Sequence, residues 1–159
     1  MVDLGLQALG PDAVLAGHAD QAEALLAQWL GVLGDRYYLE LHRTGREGEE
    51  ECLHASVGLA ARQGVPVVAT NDVRFLDASE FEAHEARVCI HDGLTLDDPG
   101  RPHNYSEEQY LKSGQEMAEL FADIPAALEN AREIARRCSL PLELGKSVLP
   151  AFPVPEGQT

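Results

Sequence analysis

The sequence is poor in cysteine and has no long apolar run. Its three cysteines, Cys52, Cys89 and Cys138, lie far apart, without the paired spacing of a zinc ribbon or the density of a secreted disulfide scaffold. No apolar stretch approaches the roughly 20 residues of a membrane helix, and the N-terminus lacks the basic and apolar sections of a signal peptide. These absences predict a cytoplasmic chain with reduced thiols and no membrane contact.

Basic residues are also scarce, because 12 Lys and Arg face 27 Asp and Glu, which gives a net charge of −15. This charge repels phosphate backbones and predicts that the chain makes no direct contact with nucleic acid. A basic protein partner fits such a surface better. The length of 159 residues, with 45% hydrophobic and 25% charged residues, is typical of one globular domain or a large piece of one.

The first half of the chain carries the pattern of an α/β fold. A helical spacing of apolar residues is followed by an alternating run, an acid-led helical stretch ended by Gly64, and a continuous apolar run. The predicted elements are a helix over 19–34, a strand over 36–42, a helix over 47–63 and a strand over 65–70. Strand, helix and strand within about 30 residues indicate a parallel crossover.

The second half carries mainly helical patterns. The sequence predicts helices over 79–89, with Ser79 as a cap, over 106–123 and over 124–138, a polar surface loop between the first two, and an extended tail after Leu140. Two strands cannot bury both of their faces, so we expect them to belong to a larger sheet or barrel. The chain is then a fragment, and exposed barrel edges predict a homo-oligomer.

Candidate functional residues stand at the ends of the two strands, where parallel α/β folds gather catalytic groups. One interpretation joins Asp72 with Glu40 and His42, which share a strand face, as a metal site or general base. The other pairs Asp72 with Arg74 in a structural ion pair, and the residues favour it, because Asn-Asp after a strand is common turn chemistry and arginine offers no lone pair to a metal.

A resemblance to a known family covers nearly the whole chain. The segments "DRYYLELHRTGREGEE", "GVPVVATNDVRFL", "FEAHEARVCIHDGLTLDDP", "YSEEQYL" and "ELFADIPAALENAREIARRC" resemble the catalytic alpha subunits of bacterial DNA polymerase III. They are similar to the later portion of the N-terminal polymerase-and-histidinol-phosphatase (PHP) domain of those subunits. The blocks are long and occur in order, which makes the resemblance more specific than any short motif.

The resemblance implies an α/β fold, a partial (βα)7 barrel of parallel strands with flanking helices and a helical C-terminal part. Residues 1–140 would form the partial PHP domain and residues 141–159 an extended linker toward the polymerase region. The first barrel strands, with the family's leading His-x-His ligands, would precede Met1. Where complete members read Asn-His-Gly and Asn-Asp-x-His, this chain has Thr44 and Arg74 in place of the two histidines.

Function follows from these two departures from the family pattern. The resemblance implies a non-catalytic scaffold that stabilises the polymerase and docks the proofreading exonuclease (epsilon) subunit, with no metal or cofactor in this segment and Mg²⁺ serving the parent polymerase. The alternatives are a metal-dependent phosphoesterase or 3′–5′ exonuclease that completes its site with Glu40, His42 and Asp72, or by pairing with another chain, and a free-standing acidic adaptor.

Overall fold

The computed structural model describes residues 19–146, which form helices around a small sheet. The predicted mixture of helices and parallel strands is confirmed, and no closed barrel is present in this range. The elements are α1 (Ala19–Leu33), a 3₁₀ turn (Gly34–Arg36), β1 (Leu39–Leu41), α2 (Glu49–Gln63), β2 (Val67–Ala69), a second 3₁₀ turn (Ala78–Glu80), α3 (Phe81–Asp92), α4 (Gly114–Leu120) and α5 (Pro125–Arg137).

Strands β1 and β2 pair in parallel, with Glu40 opposite Val68, and α2 connects them. Helix α2 begins with three glutamates, which suit the positive end of a helix, and it ends at Gly64. Gly64 adopts φ 66° and donates its N–H to the Ala60 carbonyl. The parallel crossover is therefore confirmed, although both strands are shorter than predicted.

The core consists of two apolar clusters that share the sheet. The first joins α1, α2 and the start of β1, and the second joins the end of β1 and β2 to α2 and the α4–α5 region. Helix α5 packs on β2, and its Asn130 side chain donates a 2.8 Å hydrogen bond to the Val67 carbonyl. Pro125 occupies the first turn of α5, as the sequence predicts. Phe121 and Ala127, at the centre of the second cluster, are completely buried.

A third parallel contact follows β2, and it corrects the prediction of one helix over 106–123. Phe75 and Tyr110 form a parallel bridge, with hydrogen bonds from the Arg74 N–H to the Gln109 carbonyl (2.8 Å) and from the Leu111 N–H to the Phe75 carbonyl (3.1 Å). These residues are therefore extended. Helix α4 begins only at Gly114, because Ser113 forms a capping box there with Glu116.

The helix predicted over 79–89 is present, but its start differs from the prediction. Asp77, and not Ser79, caps the preceding 3₁₀ turn: its carboxylate accepts the Ser79 N–H, while the Glu80 carboxylate accepts the Asp77 N–H. Helix α3 then runs to Asp92. Within residues 19–146, none of the helices is long and apolar enough to span a bilayer. Most of the predicted linker lies outside the described residues.

Candidate functional site

Asp72 lies where the chain leaves β2, and it adopts φ 41°, the left-handed conformation that aspartate tolerates better than most residues. Both oxygens of its carboxylate are occupied. Oδ1 lies 2.7 Å from Arg74 Nη2, and Oδ2 lies 3.3 Å from Arg46 Nη1. Oδ2 also accepts a 2.8 Å hydrogen bond from Gln109 Nε2. The ion pair between Asp72 and Arg74 that the sequence favours is therefore present, together with a second arginine that the sequence did not reveal.

The partners of Asp72 are themselves held in place. The Arg74 guanidinium lies over the Tyr105 ring, 5.5 Å from its centroid, which fits a cation–π contact. Gln109 is completely buried, and its side-chain oxygen accepts the Ser106 N–H at 3.0 Å. Because Gln109 also pairs through its backbone with Arg74, the bridge segment and the Asp72 turn form one hydrogen-bonded unit.

Thr44, at the end of β1, is completely buried and faces Glu49 at the start of α2. Its hydroxyl donates to Glu49 Oε1 (2.8 Å), and its N–H donates to Glu49 Oε2. Burial alone would raise the Glu49 pKa, but the hydrogen bonds from Thr44 and from Arg46 hold that pKa below its ordinary value. Arg46 contacts both Glu49 (3.1 Å) and Asp72, so it connects the ends of the two strands.

Arg43 makes a further group of contacts that the sequence does not predict. Its guanidinium binds both carboxylate oxygens of Asp123 (2.6 and 2.8 Å), the Leu120 carbonyl (2.7 Å) and Glu50 (2.9 Å), and it lies 5.2 Å from the centroid of the Phe121 ring. The hydrogen bonds from Arg43 hold the Asp123 pKa at about 2. Since 80 residues separate Arg43 from Asp123, no local pattern signals this pair.

Glu40, on β1, and His42, directly after it, lie close together, with His42 Nε2 3.6 Å from Glu40 Oε1. The structure does not gather a metal-ligand group around them: no cluster of three His, Cys, Asp or Glu side chains arranged to hold an ion occurs anywhere in residues 19–146. Their role in a site with Asp72 stays a prediction.

The group at the two strand ends, formed by Thr44, Arg46, Glu49, Asp72 and Arg74, is called the strand-end network below. A dication needs several oxygen, nitrogen or sulfur donors with free lone pairs. Here two guanidinium groups occupy the Asp72 carboxylate, and the Thr44 hydroxyl donates to Glu49. The donors in the strand-end network do not fit a metal ion. The positive charges of Arg46 and Arg74 instead neutralise the carboxylates of Glu49 and Asp72.

The described chain thus has parallel βα units that end in a strand-end network of side chains. In sequence comparisons no family model matches, but curated polymerase subunits do. "DNA polymerase III subunit alpha" from Pseudomonas aeruginosa is 58% identical over 145 residues, 91% of this chain and 12% of that protein. The subunit from Escherichia coli K12 is 55% identical over 147 residues (92% and 13%), and that from Xylella fastidiosa Temecula1 is 53% identical over 156 residues (98% and 13%).

The chain is therefore homologous to one segment of the DNA polymerase III alpha subunit, and the family resemblance seen in the sequence is confirmed. It spans only 12–13% of the length of these relatives.

Proposed function

We propose that this chain is the later part of a PHP-type barrel in a replicative polymerase alpha subunit, and that it acts as a non-catalytic scaffold in DNA replication. Residues 1–140 form the barrel part and residues 141–159 lead toward the polymerase region. The scaffold stabilises the polymerase and docks the proofreading exonuclease subunit in the cytoplasm. Homology to the polymerase subunit and the parallel βα units support this assignment.

One observation carries the non-catalytic part of the proposal: Asp72 is bound by Arg74, Arg46 and Gln109 at the same time. A carboxylate that serves a metal or acts as a general base must face that task with a free lone pair. Three donors already take most of the roughly four lone-pair positions of Asp72, and two of them carry a positive charge. The Asp72 carboxylate instead binds the permanently positive guanidinium groups of Arg46 and Arg74 at the ends of the two strands. A fixed guanidinium also adds an electrostatic cost to any dication brought close to it.

Metal titration by calorimetry tests this part. We expect no stoichiometric heat with Mn²⁺ or Zn²⁺, and the same trace for Asp72→Asn. Tight binding of an ion at a defined ratio, lost in Asp72→Asn, would overturn the proposal and favour a nuclease.

The scaffold role is tested in the full-length polymerase. The double variant Asp72→Ala/Arg74→Ala removes the ion pair, and we expect a lower melting temperature with an unchanged rate of nucleotide incorporation at temperatures where the protein is folded. The matched control is Glu143→Ala/Lys146→Ala, which removes an exposed ion pair of similar length (3.0 Å) and the same pair of charges. An unchanged melting temperature in the first variant would contradict the scaffold role.

Docking of the exonuclease is the second part of the proposal, and the net charge of −15 supports a protein partner over a DNA groove. Size-exclusion chromatography of the polymerase with the exonuclease subunit tests it. We expect the 159-residue chain, added in excess, to reduce co-elution of the two proteins. Co-elution that is insensitive to this competitor would place the docking surface elsewhere.

A phosphoesterase or nuclease that uses Glu40, His42 and Asp72 remains the competing prediction. It requires these groups to be joined by further ligands or by another chain. Hydrolysis of single-stranded DNA or of a generic phosphoester, lost in Asp72→Asn, would establish it.

A further inference from the structure

His84 is a buried histidine on α3 whose ring connects three parts of the fold. The residue is 7% exposed. Its ring stands almost perpendicular (87°) to the Tyr105 ring, with centroids 4.6 Å apart, and lies 5.6 Å from the centroid of Phe75. Tyr105 is the last residue of the segment 94–105 after α3, called the α3 loop below, and Phe75 belongs to the bridge segment. The His84 ring therefore packs between α3, the α3 loop and the bridge.

The hydrogen bond of the His84 ring determines its protonation state. Nδ1 lies 2.7 Å from Nη2 of Arg87, which follows three residues later on α3. A guanidinium group donates hydrogen bonds and does not accept them, so this bond requires a lone pair on Nδ1. The neutral ring then carries its proton on Nε2, which is buried and has no hydrogen-bond partner within residues 19–146. The contacts of His84 therefore require the neutral imidazole.

A protonated His84 ring would lie close to two positive charges. The new N–H on Nδ1 would face the Arg87 guanidinium, and Arg74 is also close enough to act on the ring. Glu85 supplies a negative charge, but its carboxylate pairs with Arg101. Burial lowers the His84 pKa below its ordinary value of 6.5, both arginines lower it further, and the attraction of Glu85 only partly offsets them. Protonation therefore disrupts the contact that holds the ring.

The α3 loop depends on side chains for its attachment. Within residues 19–146, its backbone hydrogen bonds stay inside the loop or return to the end of α3. Its ion pairs and ring contacts to other elements come from two side chains in the described structure. Arg101 pairs with Glu85, while the Tyr105 ring contacts His84 and carries the Arg74 guanidinium 5.5 Å from its centroid. The end of the loop is thus held through Tyr105.

A cleft of about 460 Å³ lies between α3 and the α3 loop. It is lined by Arg87, Val88, His91, Asp92, Asn104 and Tyr105. His91 is a second titratable imidazole beside Arg87, and Asp92 gives this cleft one negative charge. Because Tyr105 itself lines the cleft, its side chain has room to move there once its contact with His84 is lost.

We propose that His84 is a pH-sensitive switch: the neutral ring holds Tyr105 and the end of the α3 loop against α3, and protonation releases them. Release removes the Tyr105 ring from Arg74, so the switch acts on the strand-end network through the pair of Arg74 and Asp72. The stability contributed by the neutral ring is complete above about pH 6.5 and falls below it, because the unfolded chain takes up this proton first. The switch concerns this chain alone and does not depend on the scaffold role.

An NMR titration of the 159-residue chain from about pH 8 to about pH 4 tests the switch. The imidazole C–H signals of His84 report its protonation, and the nuclear Overhauser contact between the Tyr105 ring and the Arg74 side chain reports the loop. We expect this contact to be lost with the same midpoint as the His84 titration. In His84→Asn, which keeps an acceptor near the Nδ1 position and cannot take up the proton, the contact should persist over the whole range.

Arg87→Met gives a second test at an exposed position of α3. The variant removes the positive charge that faces Nδ1, so the His84 midpoint and the loss of the Tyr105 contact should both shift to higher pH by the same amount. Arg62→Met, at an exposed position of α2, is the matched control and should shift neither of them.

A contact between Tyr105 and Arg74 that persists after His84 is protonated would overturn the proposal. Loss of this contact in His84→Asn over the same pH range would do so as well. A His84 ring that stays neutral down to about pH 4, or a midpoint that does not change in Arg87→Met, would equally exclude the switch.

Discussion

Asp72 is the residue on which the strand-end network converges, because it joins Arg46, Arg74 and Gln109. Its side chain is only 18% exposed, so water does not fully replace a hydrogen bond that a substitution removes from it. The left-handed φ of 41° adds a backbone requirement that asparagine meets and alanine does not.

Two replacements of Asp72 therefore distinguish the effect of its charge from the effect of its backbone conformation. We expect Asp72→Asn to lower the free energy of unfolding by about 1–2 kcal/mol, since Arg74 is partly exposed and its lost attraction is screened. Asp72→Ala should cost about 1 kcal/mol more. Urea unfolding measures both, with the exposed Asp35→Asn as the control. Equal stability of the wild type and Asp72→Asn would show that the network contributes nothing.

Arg43 uses the shape of its guanidinium as well as its charge. It forms a forked pair with Asp123 and also reaches the Leu120 carbonyl and Glu50, which a lysine ammonium cannot do at the same time. We expect Arg43→Lys to lower the free energy of unfolding by about 1–2 kcal/mol. Arg62→Lys, in an exposed single contact with Glu23, should change it by less than about 0.5 kcal/mol. Similar losses for both variants in urea unfolding would exclude a geometric role for the fork.

The same pair predicts a response to acid. The Asp123 pKa is about 2 in the folded chain, against an ordinary value of 3.8, so the unfolded chain takes up this proton first as the pH falls. The stability contributed by Asp123 is complete above about pH 4 and is lost between pH 4 and 2. Asp123→Asn should flatten the fall of the urea midpoint across this interval. Glu116→Gln is the comparison, because hydrogen bonds from Tyr110 and Ser113 also hold the Glu116 pKa at about 2.

Individual contacts were predictable only where the partners lie close in sequence. Asp72 and Arg74 are two residues apart, and the sequence alone favours this pair. The contacts of Asp72 with Gln109 and of Arg43 with Asp123 join residues 37 and 80 positions apart, and only the folded chain brings them together.

At the scale of elements, the capping box at Ser113 separates the extended segment around Tyr110 from helix α4. Ser113 accepts the Glu116 N–H (3.3 Å), and the Glu116 carboxylate accepts the Ser113 N–H (2.7 Å). Removing the hydroxyl leaves a helical N–H without its acceptor. We expect Ser113→Ala to cost about 1 kcal/mol in urea unfolding, and the exposed Ser139→Ala to cost almost nothing. No difference between these two variants would show that the capping box does not stabilise the chain.

Helix and strand types were predicted well in the first half of the chain, because Gly64 and the apolar periods mark α2 and β2 clearly. The prediction of a helix was wrong over 106–113, because Gln109 and Tyr110 lie in an extended segment that forms the bridge to Phe75. Their tertiary partners at Arg74 and Phe75 override local preference, while the Ser113–Glu116 motif, which was available in the sequence, marks where the helix begins.

On the scale of the whole molecule, the net charge of −15 sets what the chain attracts. We expect labelled single-stranded DNA to show no change in fluorescence anisotropy up to about 10 μM protein, since nonspecific binding depends on counterion release by basic side chains. Saturable binding that weakens as salt is raised would contradict this. The homo-oligomer expected from exposed sheet edges stays a prediction that light scattering can test.

The complete burial of Thr44 has a consequence for engineering. An imidazole at this position is larger than the threonine, and the neighbours would have to move to admit it. Arg74→His would at the same time leave Asp72 with one guanidinium fewer. Each of these two substitutions toward an ion site thus lowers stability before any ion can compensate. We therefore expect that no single substitution produces an ion site here, and that a redesign has to change several positions at once.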